Sequence, residues 1–245
     1  MHGVMNTDNM SILGLTLDYG PFGFMESFDP KHICNHTDQQ GRYSYQMQPT
    51  IGQWNCHAIG QALLPLIGSV ESTKDALNGY QLHFEEKYDQ LMRRKLGLLQ
   101  SIEGDKELID NFLLIMQENA TDFTLTFRQL SHVLRENDSQ DEPIRDLFTN
   151  RNSIDNWLIT YRERLYQEQS DDSVRQKAML SVNPKYILRN YLAQIAIAKA
   201  QDKDFSEIRI LQKILQNPFD EQPEFDAYAA LPPNWASKLE VSCSS

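Results

Sequence analysis

Apolar side chains recur every three to four residues through most of the chain after about residue 50, and this spacing limits the fold more than any other feature. Leu77, Tyr80, Phe84, Tyr88 and Leu91 form one such series, which places apolar side chains on one face of a helix. Similar series occupy residues 108–116, 123–134, 157–165, 187–195 and 208–215. The sequence therefore predicts a mainly helical protein whose apolar faces form the core. Pro184 is expected to start the helix that carries the 187–195 series.

The first 55 residues differ from the rest, because they hold six of the eleven glycines and many turn-forming residues. The run Ser-Ile-Leu-Gly-Leu-Thr-Leu at 11–17 predicts a short buried strand that ends at Asp18, and residues 29–49 predict a long ordered loop. This strand is the small β component of the expected fold. We expect three parts: 1–55 with the candidate chemistry, the helical 56–216, and a Pro-rich tail at 217–245.

Charge and composition exclude several classes of function. Lys and Arg total 23 and Asp and Glu total 34, so the net charge is 23 − 34 = −11. A chain this acidic is a poor ligand for nucleic acid or for an anionic membrane. The longest strongly apolar run, at 62–67, is interrupted by Pro65 and is too short to span a bilayer. No signal peptide is visible, and we expect a soluble intracellular protein with no nucleic-acid or membrane partner.

Cysteine and histidine are too sparse for a disulfide scaffold or a zinc site. The three cysteines are Cys34, Cys56 and Cys243, whereas a scaffold needs an even and dense set. The spacing of Cys34, His36, Cys56 and His57 matches no usual zinc motif. We therefore expect no zinc site, and we expect Cys56, in an apolar helical stretch, to be buried and inert.

The densest polar cluster lies at residues 2–9. His2 and Asn9 are seven residues apart, and Asp18-Tyr19-Gly20 follows, as in the kinase pattern H-R-D-L-x-x-x-N followed by D-F-G. In kinases the Asn and the D-F-G Asp supply the oxygen ligands that hold the divalent cations of a nucleotide. Asn9 and Asp18 could converge on one ion in the same way. Alternatively, Asn6, Asp8 and Asn9 could simply build a turn before the strand.

One position departs from the kinase pattern. Val4 stands where a kinase has its catalytic Asp, and a valine cannot accept a proton from a substrate hydroxyl. The loop is therefore that of a pseudokinase. Asp8 is the nearby carboxylate that could act as the base instead, and we interpret His2 as structural.

The chain resembles the selenoprotein O (SelO) family, also named YdiU. The resemblance rests above all on residues 2–24, from His2 to Phe24, which include Asp8, Asn9 and Asp18. Further matching segments are Ile33-Cys-Asn-His36, Gly41-Arg-Tyr-Ser44, Gln48-Pro49, Trp54-Asn55, Asn183-Pro-Lys-Tyr-Ile-Leu-Arg-Asn190, Pro218-Phe-Asp220 and the terminal Cys243-Ser-Ser245.

The resemblance implies a kinase-like enzyme that binds ATP in a flipped orientation and transfers AMP to Ser, Thr or Tyr hydroxyls of other proteins. It implies that Asp8 is the base, that Asn9 and Asp18 bind Mg²⁺, with Mn²⁺ as the alternative, and that Asp18 also lies against the ATP phosphates. The flip is consistent with Val4, because the α-phosphate rather than the γ-phosphate would face the acceptor. Positioning and charge neutralisation by the metal would then carry most of the catalysis.

The resemblance also implies that part of the family's pattern is missing. The chain contains no G-x-G and no V-A-I-K lysine, the parts that cover the phosphates in kinases. We therefore expect the C-terminal half of a SelO protein, namely a kinase-like C-lobe with the family's helical extension and without the N-lobe, which transfers AMP negligibly alone. The alternative is a non-catalytic helical interaction module derived from a decayed lobe. Ordinary phosphotransfer is disfavoured by Val4.

The resemblance finally bears on the thiols and the location. Family members with a C-terminal Cys or selenocysteine are expected to pair it with a loop cysteine, which here implies a reversible Cys34–Cys243 disulfide that tunes activity. The other interpretation, two free thiols, stays open. The expected compartment is the bacterial cytoplasm, or the mitochondrion in a eukaryote.

Overall fold

The chain is mainly helical, as the periodicity predicts. The computed structural model describes residues 1–15 and 20–241. Within these ranges β pairing is limited to two isolated antiparallel bridges, His2 with Phe22 and Ser27 with Asp122. The helices are α1 (Gln48–Ile67), α2 (Val70–Leu96), α3 (Asp105–Glu118), α4 (Phe123–Leu130), α5 (Glu142–Arg145), α6 (Arg151–Gln167), α7 (Asp172–Leu180), α8 (Asn190–Gln201) and α9 (Ser206–Leu215). Short 3-10 turns lie at Thr7–Asn9, Tyr45–Met47, Pro223–Ala229 and Asn234–Lys238. In the part of the chain that is described, no helix is both long enough and apolar enough to span a membrane.

The chain divides into two compact units. The first comprises Met1–Gly23, Pro30–Gln90 and Glu240–Ser245, and the second comprises Phe24–Asp29 and Leu91–Leu239. Helix α2 contributes residues to both. The division into three parts that the sequence predicts, 1–55, 56–216 and 217–245, stays a prediction.

The first unit is built on α1 and the part of α2 that precedes residue 91. Gly68 ends α1 in the left-handed conformation, at φ 72°, and its N–H donates to Leu64 O. The Tyr80 hydroxyl on α2 donates to Pro49 O at the start of α1, at 3.0 Å. This bond ties the first turn of α1 to the middle of α2. The loop at residues 29–44 leads into α1 through the Tyr45–Met47 turn.

The second unit holds an aromatic core that α3, α4 and α6 share. The rings of Phe112 and Trp157 stack at 4.1 Å between centroids, and Trp157 stacks on Tyr161 at 4.9 Å. Both polar ring atoms are satisfied, because Trp157 Nε1 donates to Leu108 O at 3.0 Å and the Tyr161 hydroxyl donates to Leu96 O at 2.6 Å. The apolar series of α3 and α6 therefore face this core, as expected. The series on α2 does not, because its residues are only partly buried and Leu91 is 54% exposed.

The strand expected at 11–17 is wrong for the residues that are described. Ile12 and Leu13 are 78% and 76% exposed, and they form a turn that is closed by Gly14 N–H to Ser11 O at 3.0 Å. A positive φ of 67° at Gly14 ends any extended run there. A short apolar run becomes a strand only when a partner strand satisfies its backbone. Thr16 and Leu17 lie outside the described residues.

The helix start expected at Pro184 is also wrong, because α8 begins at Asn190. The N–H groups of Lys185 and Tyr186 both donate to Pro218 O, at 2.8 and 3.1 Å. This tertiary pairing holds residues before the helix in a non-helical path. Part of the apolar series that starts at Ile187 therefore packs from a loop rather than from a helix.

Candidate active site

The polar cluster forms a loop that is exposed from Asn6 onward and ends in one 3-10 turn. We call residues 2–9 the candidate loop. Asp8 and Asn9 lie in the Thr7–Asn9 turn and are both exposed. The turn is closed by Asn9 N–H to Asn6 O at 3.0 Å. Both side chains that the sequence proposes for chemistry are therefore accessible from solvent.

The Asn9 side chain has a defined orientation. Its Nδ2 donates to Val4 O at 3.2 Å, so that Oδ1, on the other branch of the amide, is directed away from that carbonyl. An Asn carbonyl oxygen and a neighbouring carboxylate are hard oxygen donors of the kind that Mg²⁺ prefers. The donor chemistry of Asp8 and Asn9 therefore fits a magnesium ion.

His2 has a structural contact, which fits its interpretation as a structural residue. Its Nδ1 accepts a hydrogen bond from Val4 N–H at 3.1 Å. An Nδ1 that accepts leaves the proton on Nε2 in the neutral ring. The imidazole thus fixes the backbone at Val4, the position where a kinase would have its base.

The start of the candidate loop lies beside the segment that follows Asp-Tyr-Gly. Gly3 N–H donates to Pro21 O at 2.5 Å, and Gly23 N–H donates to Met1 O at 3.2 Å. The Met1 nitrogen donates to Gly23 O at 2.9 Å. These bonds fix residues 1–3 antiparallel to residues 21–23. Asp18 itself lies outside the described residues, so its two roles stay predictions.

A cleft of about 360 Å³ opens at the candidate loop. Its walls come from the loop, from the exposed turn that follows it and from the start of α1. The lining residues are His2, Val4, Met5, Asp8, Asn9, Met10, Ser11, Gly14, Leu15 and Gln48. Among the described residues no group of three or more His, Cys, Asp or Glu side chains is placed to hold a metal.

Three side chains that the sequence reasoning left without a role hold the candidate loop. Asn55 Nδ2 on α1 donates to Met5 O at 2.9 Å, and Gln48 Nε2 donates to His2 O at 2.7 Å. The Tyr43 hydroxyl donates to Asn6 Oδ1. All three residues occur in segments that carry the family resemblance, which was the available signal. Their partners are 37 to 50 positions away in sequence, so only the fold could reveal the contacts.

Cys34 is buried rather than presented to solvent. It is 6% exposed, and its Sγ lies 3.7 Å from Gly23 O and 3.9 Å from His32 Nε2. Burial raises the pKa of the Cys34 thiol, which favours the less reactive protonated form. Its proposed partner Cys243 lies outside the described residues. The expectation that Cys56 is buried is wrong, because this residue of α1 is only partly buried.

The tail reaches the loop that contains Cys34. His36 N–H donates to Val241 O at 2.9 Å. Each of the two cysteines is two residues from one end of this hydrogen bond. The pairing of Cys34 with Cys243 nevertheless stays a prediction.

Comparison with known proteins shows the family of the chain. A model of the family described as protein adenylyltransferase SelO matches residues 1–216. This chain belongs to the SelO family. Similar relatives named protein nucleotidyltransferase YdiU come from Herminiimonas arsenicoxydans, 60% identical over 245 residues, and from Burkholderia pseudomallei, 54% identical over 258 residues.

The SelO chain spans about half the length of these relatives. Each match covers 100% of the chain, but 49% of the Herminiimonas protein and 50% of the Burkholderia protein. A third relative of the same name, from Burkholderia ambifaria, is 53% identical over 258 residues and is covered to 49%. The names of the family and of the relatives indicate a nucleotidyltransferase.

Proposed function

We propose that this chain contributes the metal-binding and proton-accepting part of a protein adenylyltransferase. The substrates are ATP and the Ser, Thr or Tyr hydroxyls of other proteins. In this proposal Asp8 is the base, Asn9 and Asp18 bind Mg²⁺ or Mn²⁺, and Asp18 also contacts the nucleotide. The observation that carries the proposal is the cleft at the candidate loop, where Asp8 and Asn9 present adjacent oxygen donors.

The chemistry is that which the family resemblance implies. The acceptor hydroxyl oxygen attacks the α-phosphorus of ATP, its proton passes to the Asp8 carboxylate, and the bond from the α-phosphorus to the bridging oxygen of the β-phosphate breaks. The products are an AMP–protein ester and pyrophosphate. A bound Mg²⁺ supplies charge neutralisation on the phosphates. The bond from Asn9 Nδ2 to Val4 O supports the proposed role of Asn9, because it leaves Oδ1 free to bind the ion.

The proposed role of Asp18 comes from the family resemblance, and the described residues on either side of it are compatible with that role. Leu15 lines the cleft, and residues 21–23 are bonded to residues 1–3. A segment fixed near the same loop at one end, and exposed on the cleft at the other, can bring Asp18 within reach of Asn9. This arrangement also supports a kinase-like C-lobe as the fold.

A redox function of the tail is part of the proposal. Oxidation of the Cys34 and Cys243 thiols to a disulfide, by a thiol–disulfide exchange partner that is itself reduced, would lock the tail to the loop that contains Cys34. The bond between His36 and Val241 supports this pairing. Non-reducing mass spectrometry after incubation with oxidised glutathione tests it, and two free thiols under that treatment would disprove it.

Transfer by this chain alone is expected to be negligible, because the chain lacks a G-x-G and a V-A-I-K lysine. The test incubates it with Mg²⁺, labelled ATP and a protein acceptor. Robust labelling that Asp18→Ala abolishes would contradict this expectation. The non-catalytic alternative is not favoured, because the family and the relatives are named as transferases.

The site itself is tested in a chimera in which these 245 residues replace the matching half of the Herminiimonas relative. We expect AMP transfer by the chimera, and a loss of about 100-fold or more in kcat with Asp8→Asn, within the range for removal of a general base. Asn9→Ala should also lower kcat, and it should raise the concentration of Mn²⁺ or Mg²⁺ that gives half-maximal transfer. Asp75→Asn and Asn78→Ala, on the exposed face of α2, are the matched controls. Equal activities of Asp8→Asn and Asp75→Asn would reject Asp8 as the base.

A further inference from the structure

We infer that Tyr43, Gln48 and Asn55 are positioning residues that hold the candidate loop in the geometry that its metal and proton chemistry needs. The inference rests on the proposed function for the roles of Asp8 and Asn9. These residues touch neither substrate nor metal in the proposal. They act through the backbone and the Asn6 side chain.

The Asn55 contact is specific rather than a consequence of packing. The side chain is buried, at 6% exposure, and its Nδ2 donates to Met5 O. Its Oδ1 is buried and has no hydrogen-bond partner among the described residues. A buried unpaired acceptor costs about 1–3 kcal/mol, a cost that a leucine of similar shape would avoid. The amide therefore serves the single bond that fixes Met5.

Gln48 connects the candidate loop to the segment that carries Tyr43. Its Nε2 donates to His2 O at 2.7 Å and to Tyr43 O at 3.3 Å. Gln48 is the first residue of α1, so the helix provides a rigid base for both bonds. One side-chain amide thus connects the backbone of the candidate loop at His2 with the backbone of Tyr43.

Tyr43 acts closest to the chemical groups. Its hydroxyl donates to Asn6 Oδ1, and Asn6 O accepts the N–H of Asn9. The ring is buried at 9% exposure, and Tyr43 N–H is itself held by Asp38 Oδ2 at 2.7 Å. Asn6 is therefore fixed from the side chain while its carbonyl sets the position of Asn9.

The contacts that the three positioning residues make with the candidate loop stop just before Asp8 and Asn9. They contact the loop at residues 2, 5 and 6, whereas the described hydrogen bonds of residues 7–15 stay within that stretch or return to Val4 and Asn6. A ligand on an exposed loop binds a metal well only if supporting contacts keep it near the productive geometry. Loss of an outer contact of this kind typically costs 10–100-fold in metal affinity.

The test uses Tyr43→Phe in the full chain, which removes one oxygen atom and keeps the ring. We expect faster hydrogen exchange at residues 4–9 and an affinity for Mn²⁺ with ATP, measured by electron paramagnetic resonance, that falls about tenfold. Asn55→Leu, which keeps the shape and removes the donor, should act in the same direction and serves if Tyr43→Phe does not fold. The matched control is Tyr186→Phe, which loses a comparable bond from a buried hydroxyl to Gln222 O. It should lower stability without changing the affinity for Mn²⁺.

A double-variant cycle separates positioning from general stability. If Tyr43 acts through Asn6, then Tyr43→Phe should have no further effect on Mn²⁺ affinity in an Asn6→Ala background. Unchanged exchange and unchanged affinity in both Tyr43→Phe and Asn55→Leu would overturn the inference, as would equal effects of Tyr43→Phe and Tyr186→Phe on the affinity. Failure of the unmodified chain to bind Mn²⁺ with ATP would count against the proposed function, whereas the exchange data would still decide whether the anchors hold the loop.

Discussion

Buried arginine side chains in the second unit are paired with carboxylates, and the pair formed by Arg189 and Asp122 is the most enclosed of the described ion pairs. Their side chains are 2% and 3% exposed, and Arg189 Nη1 donates to Asp122 Oδ2 at 2.7 Å. Arg189 also pairs with Glu26. Asp122 in addition caps α4, because its Oδ1 accepts Leu125 N–H at 2.8 Å. Removal of the arginine would leave a carboxylate buried without its cation.

We therefore expect Arg189→Met to lower the free energy of unfolding by about 3–5 kcal/mol, the usual cost of breaking a buried ion pair from one side. The control is Lys106→Met, which breaks an exposed pair with Asp110 and should cost less than about 0.5 kcal/mol. Urea unfolding followed by circular dichroism measures both. Similar small losses for the two variants would show that Asp122 finds another partner or takes up a proton.

Lys95 is a partly buried lysine with an aromatic and amide environment. Its Nζ lies 4.6 Å from the centroid of the Phe127 ring and donates to Asn183 Oδ1 at 2.9 Å. Burial lowers the pKa of Lys95 from 10.5 to about 8. Between these two pH values the unfolded chain holds a proton at this position that the folded chain has released.

Stability should therefore rise with pH at Lys95, because the state that binds more protons there is the unfolded one. We expect the unfolding free energy of the unmodified chain, minus that of Lys95→Met, to increase from about pH 8 to pH 10.5. Below pH 7 this difference should stay constant. Groups that titrate in both proteins contribute equally to the two free energies and cancel in this difference. A flat difference across this range would mean that Lys95 stays charged in the fold.

At the scale of elements, two glycines that end α1 and α2 share a backbone conformation but differ in surroundings. Gly68 and Gly97 have φ of 72° and 73°. A Cβ at Gly68 would meet no atom within 4 Å, whereas a Cβ at Gly97 would lie 2.5 Å from Arg175 Cγ and 2.6 Å from Met179 Sδ. Alanine variants at these two positions therefore separate the cost of backbone strain from the cost of steric crowding.

Gly68→Ala should cost about 1–2 kcal/mol, the penalty of the left-handed conformation for a residue with a Cβ. Gly97→Ala should cost about 1–3 kcal/mol more, because side chains of α7 must move. Urea unfolding of the two variants under identical conditions gives the comparison. Equal losses would mean that Arg175 and Met179 relax without cost.

The length of an apolar series explains which elements the sequence could predict. The long amphipathic series in α2, α3 and α6 are helices as expected, because a repeat of three to four residues over several turns fits no other regular structure. The predictions for short segments were wrong. In the described part of the chain, the apolar run at 11–15 has no partner strand. The N–H groups of Lys185 and Tyr186 donate to Pro218 O, which lies more than thirty positions away in the sequence.

At the scale of the whole molecule, burial is distributed unevenly along the helices. In α6 the side chains of Ile154, Trp157, Leu158, Tyr161 and Leu165 are at most 5% exposed. In α1 the buried residues are Ile51, Gly52, Asn55 and Gly60, and Leu66 near its end is 84% exposed. Segments with few buried apolar contacts open at lower free energy than core segments.

Hydrogen exchange followed by mass spectrometry should thus find slow amides in α3 and α6 and faster amides in the last two turns of α1. We expect rates that differ by about 100-fold, which corresponds to a difference in opening free energy of about 2.7 kcal/mol. Equal protection of α1 and α6 would contradict this prediction. It would imply that α1 is covered by contacts other than those of the first unit.

The sequence by itself determined the helical class, the family and the order of Asp8, Asn9 and Asp18, because periodicity and motif spacing are local properties of the chain. The tertiary structure decided that residues 11–15 form an exposed turn and that α8 begins late. It also decided that Tyr43, Gln48 and Asn55 anchor the candidate loop. These features depend on hydrogen bonds between groups that are distant in sequence. The sequence alone does not show which distant group will bond a given backbone N–H or carbonyl.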